Sequence, residues 1–209
     1  VKMEIVLARH GESLGNIVDY DCPDPELTEQ GLRQARLLAK RLENEHFDHI
    51  LCSPLVRALE TAWIVCSNRE TKPEVHFHLR EVRGLDKHTG IPGKVLKERF
   101  PGIRLMDEIL DSDQGWVDPG NETRETGYIR AKYMVEYIKD RFQESERILI
   151  VAHGTFNGLF ISALLGLDPA SGIRFAQHNT CLNGFRIEND QCKVLYINDH
   201  SHLKSDANS

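Results

Sequence analysis

Two unbroken apolar runs, each ending in a histidine followed by a glycine, constrain this chain more than any other feature. The first is Ile5-Val6-Leu7-Ala8, running into Arg9-His10-Gly11, and the second is Ile148-Leu149-Ile150-Val151-Ala152, running into His153-Gly154. A strand with one wet face alternates apolar and polar residues. An unbroken run instead predicts a strand covered on both faces, as in a parallel sheet flanked by helices. Open α/β sheets bind ligands beyond the carboxyl ends of their strands. Two histidines carried to that edge by buried strands are placed to meet, and the glycine after each lets the chain turn sharply and approach a ligand.

The rest of the pattern alternates strands with helices. Thr28 is the N-cap expected for a helix whose Leu32, Ala35, Leu38, Ala39 and Leu42 recur at helical spacing. His49-Ile50-Leu51-Cys52 reads as a strand, and Ser53-Pro54 reads as an N-cap with proline at the first helical position. The helix behind it carries Leu55, Ala58, Leu59, Ala62 and Val65 on one side. Val75 to Leu79 reads as a third strand, and a long helix is expected from Asn121 to about Gln143. After His153, Phe156, Leu159, Phe160 and Ala163 mark another helix. Cys181 to Ile187 and Cys192 to Ile197 are late strands joined by the turn Glu188-Asn189-Asp190. Asp19 to Pro25 reads as a loop, and the polar tail from Ser201 as a frayed end.

These elements predict an α/β fold, a three-layer sandwich with a mostly parallel central sheet. We expect one domain over residues 1–209. The stretch from Arg83 to Gly120 is the least regular, with six glycines and three prolines. It reads as an insertion or lid outside the central sheet.

Composition narrows the function classes. The chain has 209 residues, 40% hydrophobic and 28% charged, enough for a core without disulfides or a structural metal. A net charge of −6 speaks against a nucleic-acid partner but leaves room for a small anionic substrate held by a few arginines. Five scattered cysteines form no CxxC pair, which fits a reducing cytoplasm. No apolar run reaches membrane-spanning length, and no signal-peptide pattern opens the chain, so no membrane partner is expected. Oligomeric state is not legible.

Ser53 stands at a strand-to-helix turn like those of the two histidines, with Arg57 one helical turn on and Thr61 one more. A guanidinium near a helix start suits a phosphate, which also favours the backbone N–H groups there. Together the segments resemble the histidine phosphatase superfamily, the phosphoglycerate mutase-like fold. The resemblance rests on Arg9-His10-Gly11-Glu12-Ser13 with Asn16, on Leu27-Thr28-Glu29-Gln30-Gly31, and on Ser53-Pro54-Leu55 with Arg57 and Thr61-Ala62. It continues through Leu79-Arg80-Glu81-Val82, Val151-Ala152-His153-Gly154 and Asn179-Thr180, in the expected order. The chain departs from it after Glu81, where Arg83-Gly84-Leu85-Asp86 replaces a Gly-aromatic-Glu-Gly pattern.

The resemblance implies an enzyme that hydrolyses phosphate monoesters through a phosphohistidine on His10. Arg9, Arg57 and His153 would surround the phosphoryl oxygens, and positive neighbours would keep His10 unprotonated and nucleophilic. Glu81 would protonate the leaving alkoxide and deprotonate the attacking water, a task that favours a raised pKa. Asn16, Ser13 and Gly154 would bind substrate. No cofactor and no metal is called for. The HxH pairs His76-Phe77-His78 and His200-Ser201-His202 lack a third ligand at convincing spacing and read as exposed histidines. Trp116, Lys87, His88, Lys94 and Arg104 read as surface residues of a long loop. Three other functions remain open: a mutase that returns the phosphoryl group to substrate, a non-catalytic binder of a phosphorylated ligand, and a metal-dependent hydrolase using the HxH pairs. The chain lacks the Asn-Glu-Arg-His-Tyr-Gly type of run expected of a mutase after the acid/base segment.

Overall fold

The computed structural model describes residues 2–17, 22–84, 86–143, 145–189 and 191–208. Strands β1 (Met3–Arg9), β2 (His49–Cys52), β3 (Glu74–Val75), β5 (Arg104–Leu105), β7 (Arg147–Ala152), β8 (Leu182–Glu188) and β9 (Gln191–Asp199) form one seven-stranded sheet in the order β5-β3-β2-β7-β1-β8-β9. Every pairing from β5 to β1 is parallel, and β8 and β9 add antiparallel strands at the far edge. Strands β4 (His88–Thr89) and β6 (Val117–Asp118) make a separate antiparallel pair. The helices are α1 (Leu14–Ile17), α2 (Glu29–Arg41), α3 (Val56–Val65), α4 (Gly93–Arg99), α5 (Arg124–Arg141) and α6 (Gly154–Leu164).

The apolar runs split between two cores because successive side chains of a strand point to opposite faces. Val6 and Ala8 of β1, with Leu149 and Val151 of β7, pack with Leu38 of α2 and with Ala58, Leu59 and Ala62 of α3. Ile5 and Leu7, with Ile148, Ile150 and Ala152, pack with Ala131, Met134 and Ile138 of α5 and with Phe156, Leu159 and Phe160 of α6. Each such side chain is almost fully buried, and burying a Val, Leu, Ile, Met or Phe among them contributes roughly 1.5–3 kcal/mol. Neither face can be left open, so the helical layers and the mostly parallel sheet follow from the same residues. Thr28 caps α2 as expected, its side chain accepting from the Gly31 N–H at 3.0 Å.

Several sequence expectations are corrected. Strand β3 stops at Val75, and Phe77–Leu79 forms a 3-10 turn. The Phe77 N–H is taken by the Asp107 carboxylate at 2.7 Å, and Leu79 N–H turns back to the His76 carbonyl at 3.1 Å, which takes these donors away from the ladder. The N-cap of α3 is Leu55, not Ser53. Within the irregular stretch, β5 joins the central sheet, so that stretch does not lie wholly outside it. Trp116 is fully buried against Phe77 and His88, whereas Lys87, Lys94 and Arg104 are exposed. The tail forms a 3-10 run over Ser201–Asn208, with His202 buried and hydrogen-bonded to Thr180 Oγ1 at 3.1 Å. His76 is also buried, its ring edge-on to Tyr137. Residues 19–21 of the Asp19–Pro25 loop, Leu85 of the segment after Glu81, and Asp190 of the late turn lie outside the described residues.

Candidate active site

Strand register brings the two histidines together. Arg9 of β1 stands opposite Ala152 of β7 in a parallel pair, so His10 and His153 leave adjacent strands at the same level. Their ring centroids are 5.1 Å apart, and both side chains are buried. β2 ends one strand further over and delivers Ser53 beside them, with its N–H on the Val151 carbonyl at 3.1 Å.

The hydrogen bond from Arg57 assigns the ring proton of His10. Arg57 Nε donates to His10 Nε2 at 3.3 Å, so Nε2 carries the lone pair and Nδ1–H donates to the Gly11 carbonyl at 2.6 Å. Ser53 Oγ accepts the Leu55 N–H at 3.2 Å and lies 2.7 Å from His153 Nε2. The hydroxyl keeps both a proton and a second lone pair for this contact, so either tautomer of the His153 ring satisfies it. Burial first, then Arg57 and Arg9, holds His10 well below the usual histidine pKa, against the opposing Gly11 bond. Burial and then Arg57 do the same for His153. Positive neighbours do keep His10 unprotonated, but desolvation is the larger cause.

Beside His10 stand the charges of Arg57 and Arg9 and the ring of His153, and Arg9 Nε and His153 Nδ1 are buried nitrogens without a hydrogen-bond partner. Arg9 is fixed through Nη1, which donates to the Gln177 carbonyl at 2.7 Å. Arg57 is backed by Asp24, whose Oδ1 lies 3.6 Å from Arg57 Nη1 and accepts the Val56 N–H at 2.9 Å. Burial raises the Asp24 carboxyl to about 6, and lowers Arg57 to about 10, which leaves the guanidinium charged at neutral pH.

The loop after His10 is clamped from several sides. Thr28 N–H donates to the Glu12 carbonyl at 2.9 Å, and Thr28 Oγ1 to the Glu12 carboxylate at 2.7 Å. A Cβ on Gly31 would stand 1.9 Å from that same Glu12 carbonyl oxygen, so only glycine admits the approach of α2 to the loop. Gly11 N–H donates to Thr61 Oγ1 at 3.1 Å, and Asn179 Nδ2 to the His10 carbonyl at 3.2 Å. The motifs surrounding His10 in sequence thus surround it in space. Asn16 is exposed; its Oδ1 accepts from Ser13 N–H and Oγ at 3.0 and 3.2 Å, which ties up both residues' polar groups in part. Gly154 lies against Arg9, where a Cβ would come within 3.4 Å of Nε.

Glu81 docks on the start of α6. Its Oε1 accepts from Phe156 N–H at 3.0 Å and Oε2 from Thr155 N–H at 3.3 Å. Arg130 of α5, buried and paired with Glu122 at 2.5 Å, donates to the carbonyls of His78 and Arg80 at 2.5 and 2.8 Å. It therefore fixes the backbone that carries Glu81. Glu81 and Arg9 open onto one cleft of about 340 Å³. The roles of Ser53, Asp24 and Arg130 were not legible in the sequence, since each acts through a contact made only in the folded chain. Among the described residues no group of three or more His, Cys, Asp or Glu is arranged to hold a metal, and no helix is long and apolar enough to cross a membrane.

Comparison with known proteins agrees with this arrangement. Residues 5–200 match the model of the histidine phosphatase superfamily, branch 1. Phosphoserine phosphatase 1 of Hydrogenobacter thermophilus is 27% identical over 96% of this chain and 94% of its own length. An adenosylcobalamin/alpha-ribazole phosphatase of Salmonella typhi is 30% identical over 86% of this chain and 88% of its own. The solved structure of Bacillus stearothermophilus YhfR superposes with a TM-score of 0.71 at 26% identity, covering 96% of this chain and 99% of that one. With two strand-end histidines in register and a family match spanning almost the whole sequence, the chain belongs to the histidine phosphatase superfamily.

Proposed function

We propose that the protein is a phosphatase that hydrolyses phosphate monoesters through a phosphohistidine on Nε2 of His10. One observation carries this reading. A buried histidine nitrogen bearing a lone pair has the charges of Arg57 and Arg9 beside it, with Arg9 Nε and His153 Nδ1 buried and without a hydrogen-bond partner. Buried polar groups are normally hydrogen-bonded, and a cluster of unsatisfied donors suits an anion with several acceptor oxygens.

In the first step the Nε2 lone pair attacks phosphorus and the P–O ester bond breaks. Arg57 releases Nε2 and turns its donors to the phosphoryl oxygens, joining Arg9 and His153. The imidazole becomes a cationic N-phospho ring whose Nδ1–H remains on the Gly11 carbonyl. The leaving alkoxide takes a proton from the Glu81 carboxyl. In the second step water attacks phosphorus, its proton passes to the Glu81 carboxylate, the P–N bond breaks and inorganic phosphate leaves. Fixed donors aimed at the oxygens where charge builds lower the barrier without reorganisation. Asn16, Ser13 and Gly154 are the residues assigned to substrate binding in this reading, and Gly154 lines the cleft with Arg9 and Glu81. The domain is one unit over residues 1–209, with the 83–120 stretch as an insertion or lid that also lends β5 to the central sheet. Five free cysteines suit a reducing compartment such as the cytoplasm.

The test is a panel of phosphate monoesters assayed for free phosphate, with phosphoglycerates included. Hydrolysis with stoichiometric phosphate release is expected. Rapid isomer exchange of phosphoglycerates with little free phosphate would make the protein a mutase instead.

A further inference from the structure

Glu81 marks where the leaving-group oxygen sits, so the rest of the substrate occupies the cleft onto which Glu81 and Arg9 open. The walls of that cleft are unusual. Arg124, the first residue of α5, lines it, and so does Arg174 of the loop between α6 and β8. Arg124 Nε is buried and has no hydrogen-bond partner. Arg174 is exposed and its Nη1 donates only to the carbonyl of its neighbour Ile173, at 2.8 Å. Ile173 and Phe175 add apolar surface beside the arginines. Glu125 feels both guanidinium groups but is fully exposed, so water screens its pull, and Glu81, the other carboxylate on this cleft, is held by the backbone N–H groups of Thr155 and Phe156.

An unsatisfied, buried cationic donor is costly until it meets an acceptor, and bonds to charged groups are the strong ones. Arg9, with its fixed place beside His10, belongs to the phosphoryl end. Two further arginines in the same cleft exceed what one phosphoryl group needs. A cleft of about 340 Å³ also suits a small metabolite rather than a protein segment.

We infer that the leaving group of the preferred substrate carries a second anionic group, a carboxylate or a further phosphate, that pairs with Arg124 and Arg174. This rests on the hydrolase reading above and adds the substrate class to it. The apolar side chains Ile173 and Phe175 then cover the short carbon spacer between the two charges.

Matched esters test it, with free phosphate as the readout. 3-Phosphoglycerate and glycerol 3-phosphate differ only in a carboxylate against a hydroxymethyl group, and glycerol 1,3-bisphosphate carries a second phosphate on that hydroxymethyl oxygen. We expect kcat/KM for at least one of the two doubly anionic esters to exceed that for glycerol 3-phosphate by roughly tenfold or more. The favoured ester identifies which anion the arginines take. In Arg124→Gln and Arg174→Gln the ratio should fall towards one, and Arg124→Lys, which keeps the charge, should retain part of it. Arg174 is exposed, so its substitution leaves the packing alone and the test does not depend on Arg124 variants folding. A ratio near one in the unmodified protein, or one unchanged in both glutamine variants, would overturn the inference and leave the hydrolase reading standing. If no ester released phosphate, p-nitrophenyl phosphate included, the hydrolase reading would fall and this inference with it.

Discussion

Arg57 Nε donates to His10 Nε2 across 3.3 Å, with both side chains buried. The contact does two things at once. It keeps the attacking nitrogen free of a proton, and it parks a phosphate-binding guanidinium next to the place where phosphorus must arrive. A lysine would supply a point charge but not the planar fork that can leave Nε2 and grip two phosphoryl oxygens. Arg57→Lys should therefore lower kcat by about 10²–10³-fold, the usual cost of losing a transition-state donor. Its circular dichroism spectrum should be unchanged, because the charge opposite Asp24 is kept. Steady-state kinetics on any accepted monoester checks this.

Glu81 is placed to move a proton, and the size of that effect depends on the leaving group. With Glu81→Gln, alkyl phosphates should turn over about 10²–10⁴-fold more slowly. p-Nitrophenolate leaves without a proton, so its release in the first step should stay fast while hydrolysis of the phosphoenzyme slows. Stopped-flow absorbance should show a burst of nitrophenolate near one per active site. Equal slowing for both ester types, with no burst, would remove the acid/base role from Glu81.

Stability should depend on pH through the buried histidines. Folding depresses the pKa of His10 and His153 well below 6.5, so the unfolded chain binds protons that the folded one refuses. Their contribution is present above the unfolded value of about 6.5 and is lost as pH falls from there towards the folded values, at about 1.4 kcal/mol per pH unit for each proton taken up. Asp24 acts in the opposite sense: its folded pKa is raised to about 6, so it favours the folded state below the unfolded value, an effect lost as pH rises through 6. One carboxyl offsets one histidine only in part of that range. Urea titrations at pH 7.5 and 5.5 should show lower stability at the more acid pH, and His153→Asn should flatten the difference.

Gly31 offers a test of how the site is held. A methyl group there meets the Glu12 carbonyl at 1.9 Å, which forces α2 away from the loop carrying His10. Gly31→Ala should destabilise the fold by about 1–3 kcal/mol and reduce kcat as well. Thermal melting and kinetics on the same preparation check both effects.

How much of this was legible depends on where each signal resides. His10 and His153 were legible because a two-sided strand writes itself as an unbroken apolar run, and both runs ended alike. Resemblance alone pointed to Glu81. Nothing local marks the Asp24 contact with the Val56 N–H, which spans 32 residues, or the Arg130 bonds to the carbonyls before Glu81, which span 52 and 50. Phe77–Leu79 misled for a related reason: the residues favour a strand, but Asp107 from a distant loop claims the donor that pairing would need. Ser53 looked like a helix cap, and in the structure its hydroxyl serves His153 as well as Leu55.

The most direct measurement is a rapid acid-free quench of the protein during turnover, followed by mass analysis of its peptides. A phosphoryl group stable to alkali and labile to acid should appear on the peptide containing His10, and it should vanish in His10→Asn together with turnover. Undiminished turnover in His10→Asn, or a trapped phosphoryl group on any other residue, would contradict the assignment of His10 as the nucleophile.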